Sequence, residues 1–244
     1  MRCVNGQWNG TAVCPECGIF SAQRLPTWHL NIYHKNTQKC GGSLLSAKSI
    51  VSAAHCFWHP TRKILPANEF TAIAGIVNRN HIQDGLQKSE LSSIYTSGFY
   101  MDFEGRYSDD IAVVQLAKPF IYTLTVLPVC FDYTYRDPRF IPSWGRNDTM
   151  QMIELNKVPI LQCIKDIRWD LRGFITSDKN CVTDGSELCL GDGGNGLMFT
   201  DHNNRHFLTG VLSRFLLKEN TCNMFSLTLY TNLNYHIKLL NLFD

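Results

Sequence analysis

The sequence predicts an all-β fold closed by one C-terminal helix. Two observations carry that expectation. Short apolar or alternating runs recur between turn residues along most of the chain, and the spacing turns helical only at the end. In chain order, His29-Leu30-Asn31-Ile32-Tyr33 alternates polar with apolar side chains, as a half-buried strand does. Ser49-Ile50-Val51-Ser52-Ala53, Phe70-Thr71-Ala72-Ile73-Ala74 and Ile111-Ala112-Val113-Val114-Gln115-Leu116 are apolar runs rich in β-branched and aromatic residues. Many short strands at this spacing assemble as a sandwich or a pair of barrels. In the last segment Leu233, Ile237 and Leu240 recur at helical spacing with Tyr235, Leu239 and Leu242 beside them, and Asn232 or Asn234 stands where the helix starts.

Composition narrows the class. Hydrophobic residues make up 44% of the 244, enough for a core, and only 18% are charged, which excludes global disorder. A net charge of +2, with basic and acidic residues interspersed, gives no nucleic-acid footprint. No apolar run approaches the roughly 18 residues of a membrane span. Ten cysteines are many for a reduced intracellular protein, and two sequons, at Asn9 and Asn147, add to the expectation of a secreted, glycosylated extracellular protein. The first residues form no apolar signal region, so Met1 is not expected to be the natural start of a complete secreted product.

The main break in composition is at the N-terminus. Cys3-Val4-Asn5-Gly6-Gln7-Trp8 runs through a Gly/Asn-rich stretch to Cys14 and resembles the closing stretch of a sushi (complement control) module. Residues 1–16 are therefore expected to be the remnant of such a module, with the pairing of Cys3 and Cys14 left open. Cys14-Pro15-Glu16-Cys17 also has the spacing of half a zinc site, but no second pair of ligands follows, so neither metal nor cofactor is expected.

The remaining motifs run in a recognisable order. They are Cys40-Gly41-Gly42-Ser43, Ser52-Ala53-Ala54-His55-Cys56, Asp110-Ile111-Ala112-Val113, Ser143-Trp144-Gly145, Gly210-Val211-Leu212-Ser213 and Leu229-Tyr230-Thr231-Asn232. Together they resemble the chymotrypsin-like (S1) serine proteases over residues 17–244. The resemblance implies two antiparallel six-stranded β-barrels with a C-terminal α-helix. It implies disulfides Cys40–Cys56, Cys163–Cys181, Cys189–Cys222 and Cys17–Cys130. The sushi-like start and the tail Tyr230-Thr231-Asn232 are most similar to the insect modular serine proteases. That similarity implies a setting in an extracellular, innate-immune type cascade, with other proteases or recognition proteins as partners.

A serine protease needs a nucleophilic hydroxyl, a histidine to take its proton and an aspartate to orient the histidine. By resemblance His55 is the base and Asp110 the orienting carboxylate, with Asp109 beside it at the surface. Residues 191–196 read Gly-Asp-Gly-Gly-Asn-Gly where members of the family carry Gly-Asp-Ser-Gly-Gly-Pro, so Gly193 stands in the nucleophile's place. Losing that serine costs on the order of 10⁶ in rate, roughly 8 kcal/mol of barrier. Gly191 keeps an oxyanion-type N–H. Glu187 and Ser213 fall at the specificity pocket in the family's register. The usual activation sequence is absent: Cys17-Gly18-Ile19-Phe20 stands there instead, and Asp192 is expected to take another partner or keep a zymogen-like arrangement.

Three readings follow. The first is a catalytically inactive homologue acting as a binding or regulatory module. The second is a trypsin-like endopeptidase whose nucleophile was removed by a sequence error or by engineering, which the retained His55 and Asp110 favour. The third is a nonfunctional truncated product, which the half module at the start favours.

Overall fold

In the structure, a computed structural model, residues 17–21, 25–76, 85–132, 134, 136–144, 149–184, 192–215 and 227–241 are described, together with the backbone of three short N-terminal strands. Those strands, β1 (Cys3–Val4), β2 (Gln7–Trp8) and β3 (Ala12–Val13), form a small antiparallel sheet. The first barrel follows, built from β4 (His29–His34), β5 (Thr37–Leu44) and β6 (Ser49–Ser52). A two-residue pair, β7 (Trp58–His59) and β8 (Lys63–Ile64), interrupts it before β9 (Phe70–Ala74), β10 (Gln87–Thr96) and β11 (Ala112–Leu116). Its six strands close in the order β10-β11-β6-β5-β4-β9.

The second barrel comprises β12 (Phe140–Trp144), β13 (Met150–Val158), β14 (Lys179–Asp184), β15 (Gly196–Thr200), β16 (His206–Phe215) and β17 (Leu227–Asn232). It closes in the order β12-β13-β14-β17-β16-β15. Closure removes the unpaired edges that an open sheet would present. A short helix α1 (Ile160–Asp166) lies between β13 and β14 and was not foreseen; it buries Cys163 against Phe174, Cys181 and Leu229 and leaves Ile160 and Leu161 exposed. The C-terminal segment is a 3-10 turn over Leu233–His236 that passes into α2 (Ile237–Leu240), capped by the Asn232 side chain, which accepts the Asn234 N–H.

Burial explains the sequence pattern. β9 alternates buried and half-buried positions, whereas β11 is buried at all but one position. The core of the first barrel extends through Met198, Leu208 and Val211 of the second barrel to Leu233 and Leu240, so the C-terminal segment joins the same cluster. Each such fully buried leucine contributes about 1.5–3 kcal/mol.

Disulfides Cys17–Cys130, Cys40–Cys56 and Cys163–Cys181 are present. Cys3, Cys14, Cys189 and Cys222 fall outside the residues whose side chains are described. The Cys17–Cys130 bridge ties the linker to the domain. Beside it, His206 Nδ1 bonds the Gly18 carbonyl at 3.1 Å while its ring stacks on Trp28 and packs against Phe20.

Candidate active site

Strand register brings the key residues to one edge. Ser52, the last residue of β6, pairs with Ala112, the first of β11. His55 lies three residues beyond that pair, in the 3-10 turn Ala54–Phe57, and Asp110 two residues before it, so antiparallel pairing delivers both to the same end of the first barrel. In the second barrel Gly196 pairs with Val211, which places Gly193 and Ser213 at the matching end of β15 and β16. The barrels meet there: the Gly41 N–H donates to the Gly193 carbonyl at 2.9 Å. Gly194 has φ +81°, and a β-carbon on it would lie 2.4 Å from Ser52 Oγ, so this crossing accepts only glycine.

Asp110 is fully buried and fully engaged. Its Oδ2 takes His55 Nδ1 at 2.8 Å and the Ser213 hydroxyl at 2.6 Å, and its Oδ1 takes the His55 backbone N–H at 2.8 Å. An ionised carboxylate only accepts, so the proton of this pair sits on Nδ1 and Nε2 is left as the basic nitrogen. Burial pushes the Asp110 carboxyl up, but the neighbouring His55, the charge of Lys179 and the Ser213 hydroxyl outweigh it and hold the group below the usual carboxylate range. Asp110 is thus a charged orienting group for a histidine that points toward the second barrel.

His55 Nε2 faces Gly193. A β-carbon at residue 193 would stand 2.8 Å from Nε2, and Cys40 Sγ lies 3.8 Å from the same nitrogen. A base and its orienting carboxylate are assembled, and the residue against the base carries no side chain.

Asp192 is also fully buried. Its carboxylate accepts the Ser143 hydroxyl at 2.5 Å, the Trp144 N–H at 3.4 Å and Asn195 Nδ2 at 3.2 Å. Asn195 Nδ2 also reaches the Pro142 carbonyl at 2.7 Å, and its Oδ1 fills the space over Gly41.

The Ser213 hydroxyl donates to Asp110 Oδ2. One sequence expectation changes. Asp109 is half-buried, not exposed: its N–H donates to Asp178 Oδ2 at 3.0 Å, and its φ is +58°. Gly191, Glu187, Asn9 and Asn147, expected at the oxyanion site, the pocket and the two sequons, lie outside the described residues. Sequence reasoning missed Ser143 and Lys179. Lys179 had a signal, since it lies two residues before Cys181 on an alternating strand and so shares the buried face of that cysteine.

Among the described residues no helix is long and apolar enough to cross a membrane. A family model described as Trypsin matches residues 18–238. The chain is 28% identical over 203 aligned positions to coagulation factor IX of Cavia porcellus, covering 76% of this chain and 67% of that protein. It is 30% identical over 258 positions to Limulus clotting factor C of Carcinoscorpius rotundicauda, covering 87% of this chain and 25% of that protein. It is 28% identical over 280 positions to Modular serine protease of Drosophila melanogaster, covering 96% of this chain and 44% of that protein. The chain therefore spans a quarter to two thirds of the length of these relatives.

Proposed function

The chain belongs to the trypsin family, and from that premise we propose that it is a non-catalytic member, acting as a binding or regulatory module in an extracellular proteolytic cascade. The observation that carries this reading is the contact between Gly193 and His55: the base abuts a residue without a hydroxyl, and a β-carbon there would come within 2.8 Å of Nε2. Asn195, in place of the family's glycine, supports it as a second departure in the same loop, since its amide holds Asp192. Relatives named as coagulation and clotting factors support a secreted cascade setting, with other proteases or recognition proteins as partners. The match to a modular serine protease over 96% of the chain supports reading residues 1–16 as the remnant of a preceding module.

The test is active-site labelling with a fluorophosphonate probe and hydrolysis of arginyl, lysyl and aromatic peptide substrates by the secreted protein. Neither labelling nor turnover is expected, and covalent labelling within residues 17–244 overturns the reading. A second reading, an endopeptidase deprived of its serine, is favoured by the intact 2.8 Å His55–Asp110 bond. Gly193→Ser separates the two: peptide cleavage by that variant supports the second reading, and no gain removes it.

A further inference from the structure

Asp178, just before β14, and Lys179, its first residue, form an ion pair sealed from solvent, with side-chain exposures of 5% and 1% and a separation of 2.8 Å. Removing two charges from water is costly, and replacing such a pair by apolar residues is often neutral or stabilising. Stability alone does not account for this pair. Its bonds lead elsewhere.

Lys179 Nζ also donates to Thr231 Oγ1 at 3.0 Å, and the Thr231 hydroxyl donates to the Asp110 carbonyl at 2.9 Å. On the other side, Asp178 Oδ2 accepts the Asp109 N–H at 3.0 Å, while Oδ1 takes the Thr176 hydroxyl at 2.6 Å. The bonds Asp109 N–H to Asp178, Asp178 to Lys179, Lys179 to Thr231 and Thr231 to the Asp110 carbonyl close a ring around the dipeptide Asp109–Asp110. Within that dipeptide Asp109 has φ +58°, a left-handed conformation that L residues adopt rarely and that persists where surrounding contacts over-determine it. The ring of His236 lies against the cluster, with Nδ1 3.7 Å from Asp109 Oδ1 and Nε2 3.6 Å from Asp178 Oδ2. Asp109, Asp178 and His236 lie close together, and Asp178 Oδ2 is already engaged by the Lys179 ammonium and the Asp109 N–H.

We propose that the buried Lys179–Asp178 pair, acting through Thr231 and the Asp109 N–H, is a positioning device for Asp110. It fixes the backbone on both sides of that carboxylate and so sets the direction in which Asp110 meets His55 Nδ1. The inference goes beyond the proposed function and holds whether or not residue 193 carries a nucleophile. The charge of Lys179 also contributes to keeping the Asp110 carboxyl ionised. Lys179, Asp178 and Thr231 are positioning residues, since they act on His55 through Asp110.

The test reads the Nδ1–H signal of His55 by ¹⁵N–¹H NMR at a temperature where each variant is folded by near-ultraviolet circular dichroism. Thr231→Val removes the hydroxyl and keeps the shape, Thr231→Ser keeps the hydroxyl, and Lys179→Met removes the charge. The wild type and Thr231→Ser are expected to share one downfield resonance, while Thr231→Val and Lys179→Met shift it upfield or lose it. An unchanged resonance in Thr231→Val overturns the proposal, whatever that substitution does to stability. If Lys179→Met does not fold, Thr231→Val against Thr231→Ser decides alone. Fluorophosphonate labelling does not bear on this readout, so the failure of either reading is distinguishable from failure of the other.

Discussion

Gly193 and His55 lie so close that a β-carbon built on the glycine would stand 2.8 Å from the imidazole Nε2 and 3.3 Å from Cε1. The imidazole thus takes up part of the space that any side chain at residue 193 would fill. Its other nitrogen is anchored to Asp110 at 2.8 Å, so the ring yields only by straining that bond.

Gly193→Ala is therefore expected to lower stability by about 1–3 kcal/mol, the usual cost of forcing atoms into a packed site. It should also move the His55 ring signals in a ¹³C–¹H spectrum. Urea denaturation and that spectrum check the two effects separately, and an unchanged midpoint with unchanged ring signals refutes the crowding.

Asn195→Gly restores the residue that the family carries at that position and removes a fully buried amide donating to both Pro142 and Asp192. Leaving a buried acceptor short of one donor costs about 1–3 kcal/mol. The expected result is a loss of that size in the unfolding free energy, with Asn195→Asp worse because it sets a second carboxylate beside Asp192.

Glu69 gathers His34 at 2.9 Å, Lys35 at 3.2 Å and Arg62 at 3.3 Å. The hydrogen bond with His34 contributes most, followed by that with Lys35, and the carboxyl is lowered to about 2. A carboxyl lowered on folding stabilises the protein above its unfolded value and loses that contribution as pH falls through its folded value. The difference in stability between the wild type and Glu69→Gln should thus shrink as pH falls from about 4.5 toward about 2. Urea titrations of both proteins across that range measure it, and a difference independent of pH contradicts the assignment.

His206 works in the same direction through a different group. Burial lowers its imidazole below the ordinary histidine value, against the raising effects of the Gly18 carbonyl and Asp201. Because the neutral ring is the form that the fold prefers, its contribution is present above about pH 6.5 and is lost as pH falls. His206→Phe keeps the stacking on Trp28 but abolishes this acid-side loss, at the expense of the bond to Gly18. Thermal unfolding at pH 7.5 and pH 5 should show a smaller drop for the variant than for the wild type.

Much of the fold was legible before any coordinates. The runs at 29–33, 49–53, 70–74 and 111–116 become β4, β6, β9 and β11 nearly residue for residue, because β-branched and apolar runs are local signals of a strand, although only β9 shows the alternating burial of a half-buried one and His29 and Asn31 of β4 are buried with their neighbours. The C-terminal period was legible for the same reason, although its first turn is 3-10. Helix α1 was not read, although Ile160, Cys163, Ile164 and Ile167 recur at helical spacing, because the stripe spans only two turns and exposed Ile160 and Leu161 blur it.

What the chain determined by itself is chemical identity: a histidine before Cys56, an aspartate before an apolar strand, and a glycine with no hydroxyl at residue 193. What only the tertiary structure decided is who meets whom. Ser143 reaches Asp192 across 49 residues, Ser213 reaches Asp110 across 103, and Thr231 reaches the Asp110 carbonyl across 121. No periodicity encodes such partners. They are set by strand register, by the closure of two barrels and by the requirement that a carboxylate taken out of water be surrounded by donors wherever in the chain those donors arise.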